Sequence, residues 1–245
     1  MTPAEKSAYH YKWDRFQKRQ ERLYTVKFRK ALHEQVRQQA VNGHITSTPI
    51  YEVLAHLYKN VGVKWAHATQ VNVKRQQVKA RQPMGFSQRI VDLMRDFYGL
   101  DLLNEAELIT DYTREVIRKV LSDSALSGAS INEIVRAIEN EPDMGQMRAR
   151  RIARTETVNA ANTAGLINSK ESGVPMNKIW LSISDKRTRH SHRNVDDVTI
   201  GLDDYFNVGG ATMQNPGARK QQNGLPVPGS QTINCRCTLA YVVIE

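Results

Sequence analysis

Two short stretches concentrate the side chains able to do chemistry. "SDKRTRHSH", residues 184–192, holds Asp185, three cationic side chains and two histidines, and "NCRC", residues 234–237, holds the only two cysteines of the chain. Thiolate, imidazole and carboxylate are the donor types that bind zinc, so Asp185, His192, Cys235 and Cys237 are candidate ligands, with His190 the alternative imidazole. The spacing does not demand a metal. Zinc folds place paired cysteines roughly two to four residues apart, whereas here a C-x-C is answered by an H-x-H. The same residues also read as core: Cys235 and Cys237 would straddle the start of a strand while His192 bonds to Asp185. Both readings stay open on spacing. Cysteines this close suit an intrachain disulfide poorly, so a reduced pair is expected.

Other chemistries find less support. "HSHRN" followed by Asp196, Asp197, Asp203 and Asp204 could suggest a cation-dependent nuclease, but a hydrolytic histidine with a separate, spaced metal set is missing. No nucleophile elbow and no glycine-rich phosphate loop after a strand occur, and no enzyme is expected. A phosphate-binding face could be lined by Arg148, Arg150, Arg151 and Arg154 together with Arg187, Arg189 and Arg193. Without interleaved aromatics such binding would be sequence-independent. Alternatively, Arg187 or Arg189 pairs with Glu156 or Asp185.

The elements that must position these residues follow from periodicity and punctuation. The first forty residues read as one helix, with Trp13, Phe16, Gln20, Leu23, Tyr24, Val26, Phe28, Leu32 and Val36 as its apolar stripe and Asn42-Gly43 as its stop. A second helix over 50–71 is expected to break or bend at Gly62, and Pro83 with Gly85 marks a hinge. Ser87 can cap a helix carrying Ile90, Val91, Met94, Phe97 and Tyr98. A further helix carries Tyr112, Val116, Ile117, Val120 and Leu121 and ends at Gly128, and Ser130 with Glu133 forms a capping box. A long helix over 147–172, rich in Ala, Asn and Thr, stops at Gly173 and invites close neighbours. "KIWLSIS" (178–184) and "TLAYVVIE" (238–245) alternate as strands, and the Gly/Pro-rich residues 207–231 between them read as a long loop.

The fold class expected is α+β: an extended helical N-terminal region followed by a compact C-terminal domain with a long helix and a small sheet. Charge divides the chain into a basic helical region 1–85 (net +11), an acidic helical region 86–144 and a C-terminal part, 145–245, that is basic again. With 40% hydrophobic residues and a mean hydropathy of −0.54, the core is lean. No apolar run is long enough to span a bilayer, and the charged start lacks a secretory core, so a cytoplasmic origin without membrane association is expected.

In order, "RRIARTETVNAANTAG" (150–165), "GVPMNKIWLSISDKRTRHSH" (173–192), "DDYF" (203–206), a Pro/Gly loop and "NCRC" resemble the phage Mu protein F-like family of head morphogenesis, or minor head, proteins. The resemblance covers residues 145–240; the first half is similar only in its charged, helix-rich character. It implies a structural role in procapsid assembly of a tailed bacteriophage, at the portal or inner capsid. Implied partners are portal, capsid and scaffold proteins and packaged double-stranded DNA, with no small-molecule substrate. Implied locations are the head interior and the host cytoplasm during assembly. A metal-dependent nuclease or a sequence-independent DNA-binding protein delivered with the DNA is the alternative. Carried over by position are Arg154, Glu156, Trp180, Asp185, Arg187, Arg189, His192, Asn234, Cys235 and Cys237, with His190 a non-ligand. Glu156, Trp180, Arg187 and Asn234 would knit a polar knot at the base of the loop, with one structural zinc the sole cofactor. The family's usual Gly after "VD" is replaced by Asp197, and the effector domain that some members carry is not expected after Glu245.

Overall fold

The computed structural model describes residues 1–76, 87–122, 130–141, 143–183 and 185–244. The hinge expected at Pro83 and Gly85 and the stop at Gly128 lie outside these, as do the side chains of Ser87, Ile90, Val91, Phe97 and Tyr98.

Helix α1 (Pro3–Asn42) opens on a Thr2/Glu5 capping box and closes at Gly43 in the left-handed conformation, φ 72°. Forty residues make a rod about 60 Å long. Its buried face runs Tyr9, Trp13, Gln17, Gln20, Tyr24, Phe28, Leu32, Val36, a spacing of threes and fours. Leu23 and Val26, expected on this stripe, are instead on the outer face, because that spacing keeps one narrow side inward and they fall off it.

Helix α2 (Thr48–Gln76) runs through Gly62 without the expected break. A Cβ at Gly62 would come within 2.8 Å of Met94 Cε and 3.2 Å of Ala164 Cβ. The glycine permits the close approach of Met94 and Ala164. Helix α3 (Ser87–Leu121) fuses the two helices expected between 87 and 128. A mid-helix glycine such as Gly99 costs only about 1 kcal/mol, and Met94, Leu102, Ala106, Ile109, Val116, Ile117 and Val120 keep one buried face along the fused helix. Tyr112 and Leu121 lie outside that face. Helix α4 (Ile131–Asn140) has the expected Ser130/Glu133 capping box.

Helix α5 (Gln146–Glu171) is the axle of the molecule. Ala149, Ala153, Thr157, Ala160, Ala161, Ala164 and Gly165 are all buried along it, so α1, α2 and α3 pack against it on small side chains. Gly173, φ 65°, ends it as expected.

After α5, β1 (Met176–Leu181) lies at the centre of a three-stranded antiparallel sheet, between β2 (Thr199–Gly201) and β5 (Thr238–Val243). The register pairs Ile179 with Ala240 and Trp180 with Leu239. A short helix, α6 (His190–Asn194), sits in the β1–β2 connection. The residues read as one long loop contain structure: a hairpin of β3 (Phe206–Val208) and β4 (Ala211–Met213), then α7 (Gly229–Thr232). Gly209 and Gly210 form the two-residue hairpin turn, both at positive φ as a type I′ turn requires.

The termini interlock. Trp13 Nε1 donates to the Arg236 carbonyl at 2.7 Å, and Tyr9 Oη donates to that of Leu239 at 2.8 Å. The first helix therefore braces the entry to the last strand. No described helix is long and apolar enough to cross a membrane.

Candidate functional site

Three elements bring the chemical residues together. Helix α6 presents His192, the turn between α7 and β5 presents Cys235 and Cys237, and β1 supplies Trp180 as a wall. Asn234 reaches the turn in the left-handed conformation, φ 59°, with its amide donating to Thr155 Oγ1 at 3.0 Å. Asparagine tolerates that region better than most side chains, and the conformation swings the next residues inward.

His192 Nδ1 lies 3.3 Å from Cys237 Sγ and 3.7 Å from Cys235 Sγ. All three residues are buried, and their ligand atoms lie within 4.8 Å of one another. The Trp180 ring meets the imidazole edge-on, centroids 5.6 Å apart. Hydrogen bonds from Cys237 and His192 hold the Cys235 thiol well below its usual range, and the same pairing with burial pushes Cys237 up. The two thiols thus share one favoured ionisation. His190 is exposed and outside the trio.

Asp185, expected with this set, is placed otherwise. It forms a two-point ion pair with Arg236, Nη1–Oδ2 2.7 Å and Nη2–Oδ1 2.5 Å, and accepts the Arg187 amide and the Thr188 hydroxyl. These donors hold its carboxyl far below the usual carboxylate range. Arg187 reaches Asp185 at 3.3 Å from an exposed position. The bond expected between His192 and Asp185 is replaced by the thiol contacts.

Glu156 is buried against Tyr58 Oη at 2.6 Å and Arg219 at 2.5 Å. Burial pushes its carboxyl up to about 7 against the pull of Arg219. Arg219, from the β4–α7 connection, also pairs with Glu105 of α3, so one guanidinium ties that connection to α2, α3 and α5. Sequence reasoning offered Arg187 or Arg189 as the partner of Glu156. Arg219 lies 63 residues from it, and no local spacing could have flagged the pair.

Most of the arginines proposed for phosphate contact have a partner within the chain, though only Arg148 and Arg154 are largely buried. Arg148 is buried, donating to the Ile109 carbonyl and the Thr113 hydroxyl. Arg150 and Arg154 both bind Glu21 of α1, and Arg154 also reaches Asn234. Arg151 approaches Asp143 at 3.9 Å. Arg189 donates to the Ile233 carbonyl and Arg193 to that of Thr188.

Positive charge gathers instead in a groove of about 800 Å³ between α1 and α2, lined by Arg15, Lys18, Arg19, Arg22 and Lys64 over Phe16 and Gln20. Lys18 pairs with Asp14, and among the described residues no acidic side chain lines the groove. Asp197, where the resemblance implies a glycine, adopts a left-handed conformation, φ 66°, and pairs with Lys6.

The profile of the family described as Phage Mu protein F like protein matches residues 115–240. Over 140 residues the chain is 32% identical to the NAD(+)–arginine ADP-ribosyltransferase EFV of Enterococcus faecalis, covering 56% of this chain and 26% of that protein. It is 28% identical over 140 residues to the uncharacterized protein YqbB of Bacillus subtilis, covering 56% and 45%. To the minor head protein GP7 of Bacillus phage SPP1 it is 25% identical over 218 residues, covering 87% and 62%. The chain therefore spans from about a quarter to about three-fifths of the length of these relatives. No solved structure matches it.

Proposed function

This chain belongs to the phage Mu protein F like family, and from that premise we propose that it is a minor head protein of a tailed bacteriophage, acting in head morphogenesis. The observation that carries the proposal is the likeness to minor head protein GP7, which runs over 87% of this chain and so includes the N-terminal helices as well as the family domain. The likeness to the ADP-ribosyltransferase covers 26% of that protein, and we read it as a shared module, not a shared activity.

In this reading the chain acts at the portal or the inner capsid surface, in the virion and, during assembly, in the host cytoplasm. Its division into 1–85, 86–144 and 145–245 is a division of labour by charge. The basic groove faces packaged DNA and the acidic helices face protein. The contact with DNA falls to Arg15, Arg19, Arg22 and Lys64 because Arg150 and Arg154 are engaged by Glu21 and Arg148 by the Ile109 carbonyl. Two of the carboxylates considered for a cation are likewise engaged, Asp185 by Arg236 and one Asp196 oxygen by the Ser182 amide. That arrangement favours a structural role over nuclease chemistry.

The test is incorporation. An epitope-tagged copy of this chain, supplied during infection, should co-sediment with procapsids and mature heads through gradient purification. A tag that stays wholly in the soluble fraction would overturn the proposal.

A further inference from the structure

The geometry points to a structural zinc site formed by His192, Cys235 and Cys237, an inference that goes beyond the head-protein reading and stands independently of it. The donor set comes first. Tetrahedral zinc, with bonds of about 2.3 Å to sulfur and about 2.0–2.1 Å to nitrogen, places its S and N ligands about 3.6 Å apart. Here one imidazole nitrogen stands 3.3 Å and 3.7 Å from the two sulfurs.

Ordinary core packing accounts for two buried cysteines. It does not account for a ring nitrogen directed at both sulfurs at once. A proton on Nδ1 can serve one sulfur at a time, whereas a divalent cation engages all three donors together. Meanwhile His192 Nε2 is buried with no hydrogen-bond partner among the described residues. The imidazole is thus fixed by what lies on its Nδ1 side and not by a bond at the far nitrogen.

Burial gives the site its role. The three residues are 2%, 2% and 3% exposed, so a metal here is enclosed by the fold, with water completing the tetrahedron that the three side chains leave one ligand short. His192 and Cys235 are 43 residues apart, and between them run β2, the β3–β4 hairpin and α7. A metal clip at that base removes the entropy of closing a long excursion. Asp185 is not a ligand in this site; it neutralises Arg236, the residue between the two cysteines.

The test uses the full chain, purified without metal-affinity resin. Elemental analysis should find stoichiometric zinc in the wild type and in Asp185→Asn, and background levels in Cys237→Ser. Should Cys237→Ser fail to fold, the chelator-stripped wild type titrated with cobalt(II) decides. A thiolate-to-cobalt charge-transfer band with tetrahedral ligand-field bands is expected. Folded wild-type protein that carries no zinc and gives no charge-transfer band with cobalt overturns the inference, as does full zinc occupancy in folded Cys237→Ser.

Discussion

Replacing Arg15, Arg19 and Arg22 together with alanine probes the proposed DNA contact while leaving the fold alone. The three side chains are exposed on α1 and line the groove with Lys64 of α2. From position 15 to 22 the helix rises about 10.5 Å, a length over which duplex DNA presents about six phosphates. Four cations without acidic neighbours in the groove can therefore each meet a phosphate. Each neutralised phosphate adds about 0.9 to the slope of log affinity against log salt, so four give about −3.6, or about a 150-fold loss between 50 and 200 mM salt. The triple variant keeps Lys64 alone of the four, and its slope should fall to about −0.9. The assay is fluorescence anisotropy with a random-sequence duplex across that salt range, with melting temperatures checked for equality. A wild-type slope near zero refutes the reasoning. So does a triple variant with an unchanged slope, which would place the contact on another face.

Two further outcomes test the packing. Gly62→Ala should cost about 1–3 kcal/mol in chemical denaturation, because the new methyl meets Ala164 Cβ at 3.2 Å and Met94 Cε at 2.8 Å; a neutral result would mean that α2 and α5 are less closely apposed than described. Lys178 is buried with its ammonium donating to the Leu202 and Asp204 carbonyls, facing Lys170, Asp203 and Asp204, and desolvation lowers its pKa to about 7. The unfolded chain keeps that proton to about 10.5, so between those values the unfolded state binds more protons and stability rises with pH, by at most about 4 kcal/mol from pH 7 to 10. Lys178→Met should lack that rise, so the wild type gains on it as pH increases from 7 to 10; parallel curves over that range would show that Lys178 stays charged in the fold.

The parts of the fold written in local signals were legible. The capping box at Ser130 and the stops at Gly43 and Gly173 each depend on residues a few positions apart, whereas the alternation expected over 178–184 and 238–245 gives way to strands buried on both faces, the first ending at Leu181. What failed to show was tertiary. Gly62 looks like a breaker, yet the helix runs through it and packs closely there against Met94 and Ala164. Leu23 and Val26 look like core, yet the neighbours of α1 lie on its other side.

The site divides the same way. Residue types put His192, Cys235 and Cys237 on one short list, and the fold brings them together. Asp185 was on that list too, and lost its place to Arg236, an arginine that sequence could not rank above its neighbours. The basic cluster at the start of α5 seemed free because its partner, Glu21, lies well over a hundred residues earlier. Long-range ion pairs leave no spacing to read.

The account stands or falls on whether this chain is a component of the head. Quantitative mass spectrometry of purified DNA-filled heads that carry this chain's gene, compared with the same heads emptied, measures that directly. A low, reproducible copy number per head, far below that of the major capsid protein, is expected. Absence from both particles would contradict it.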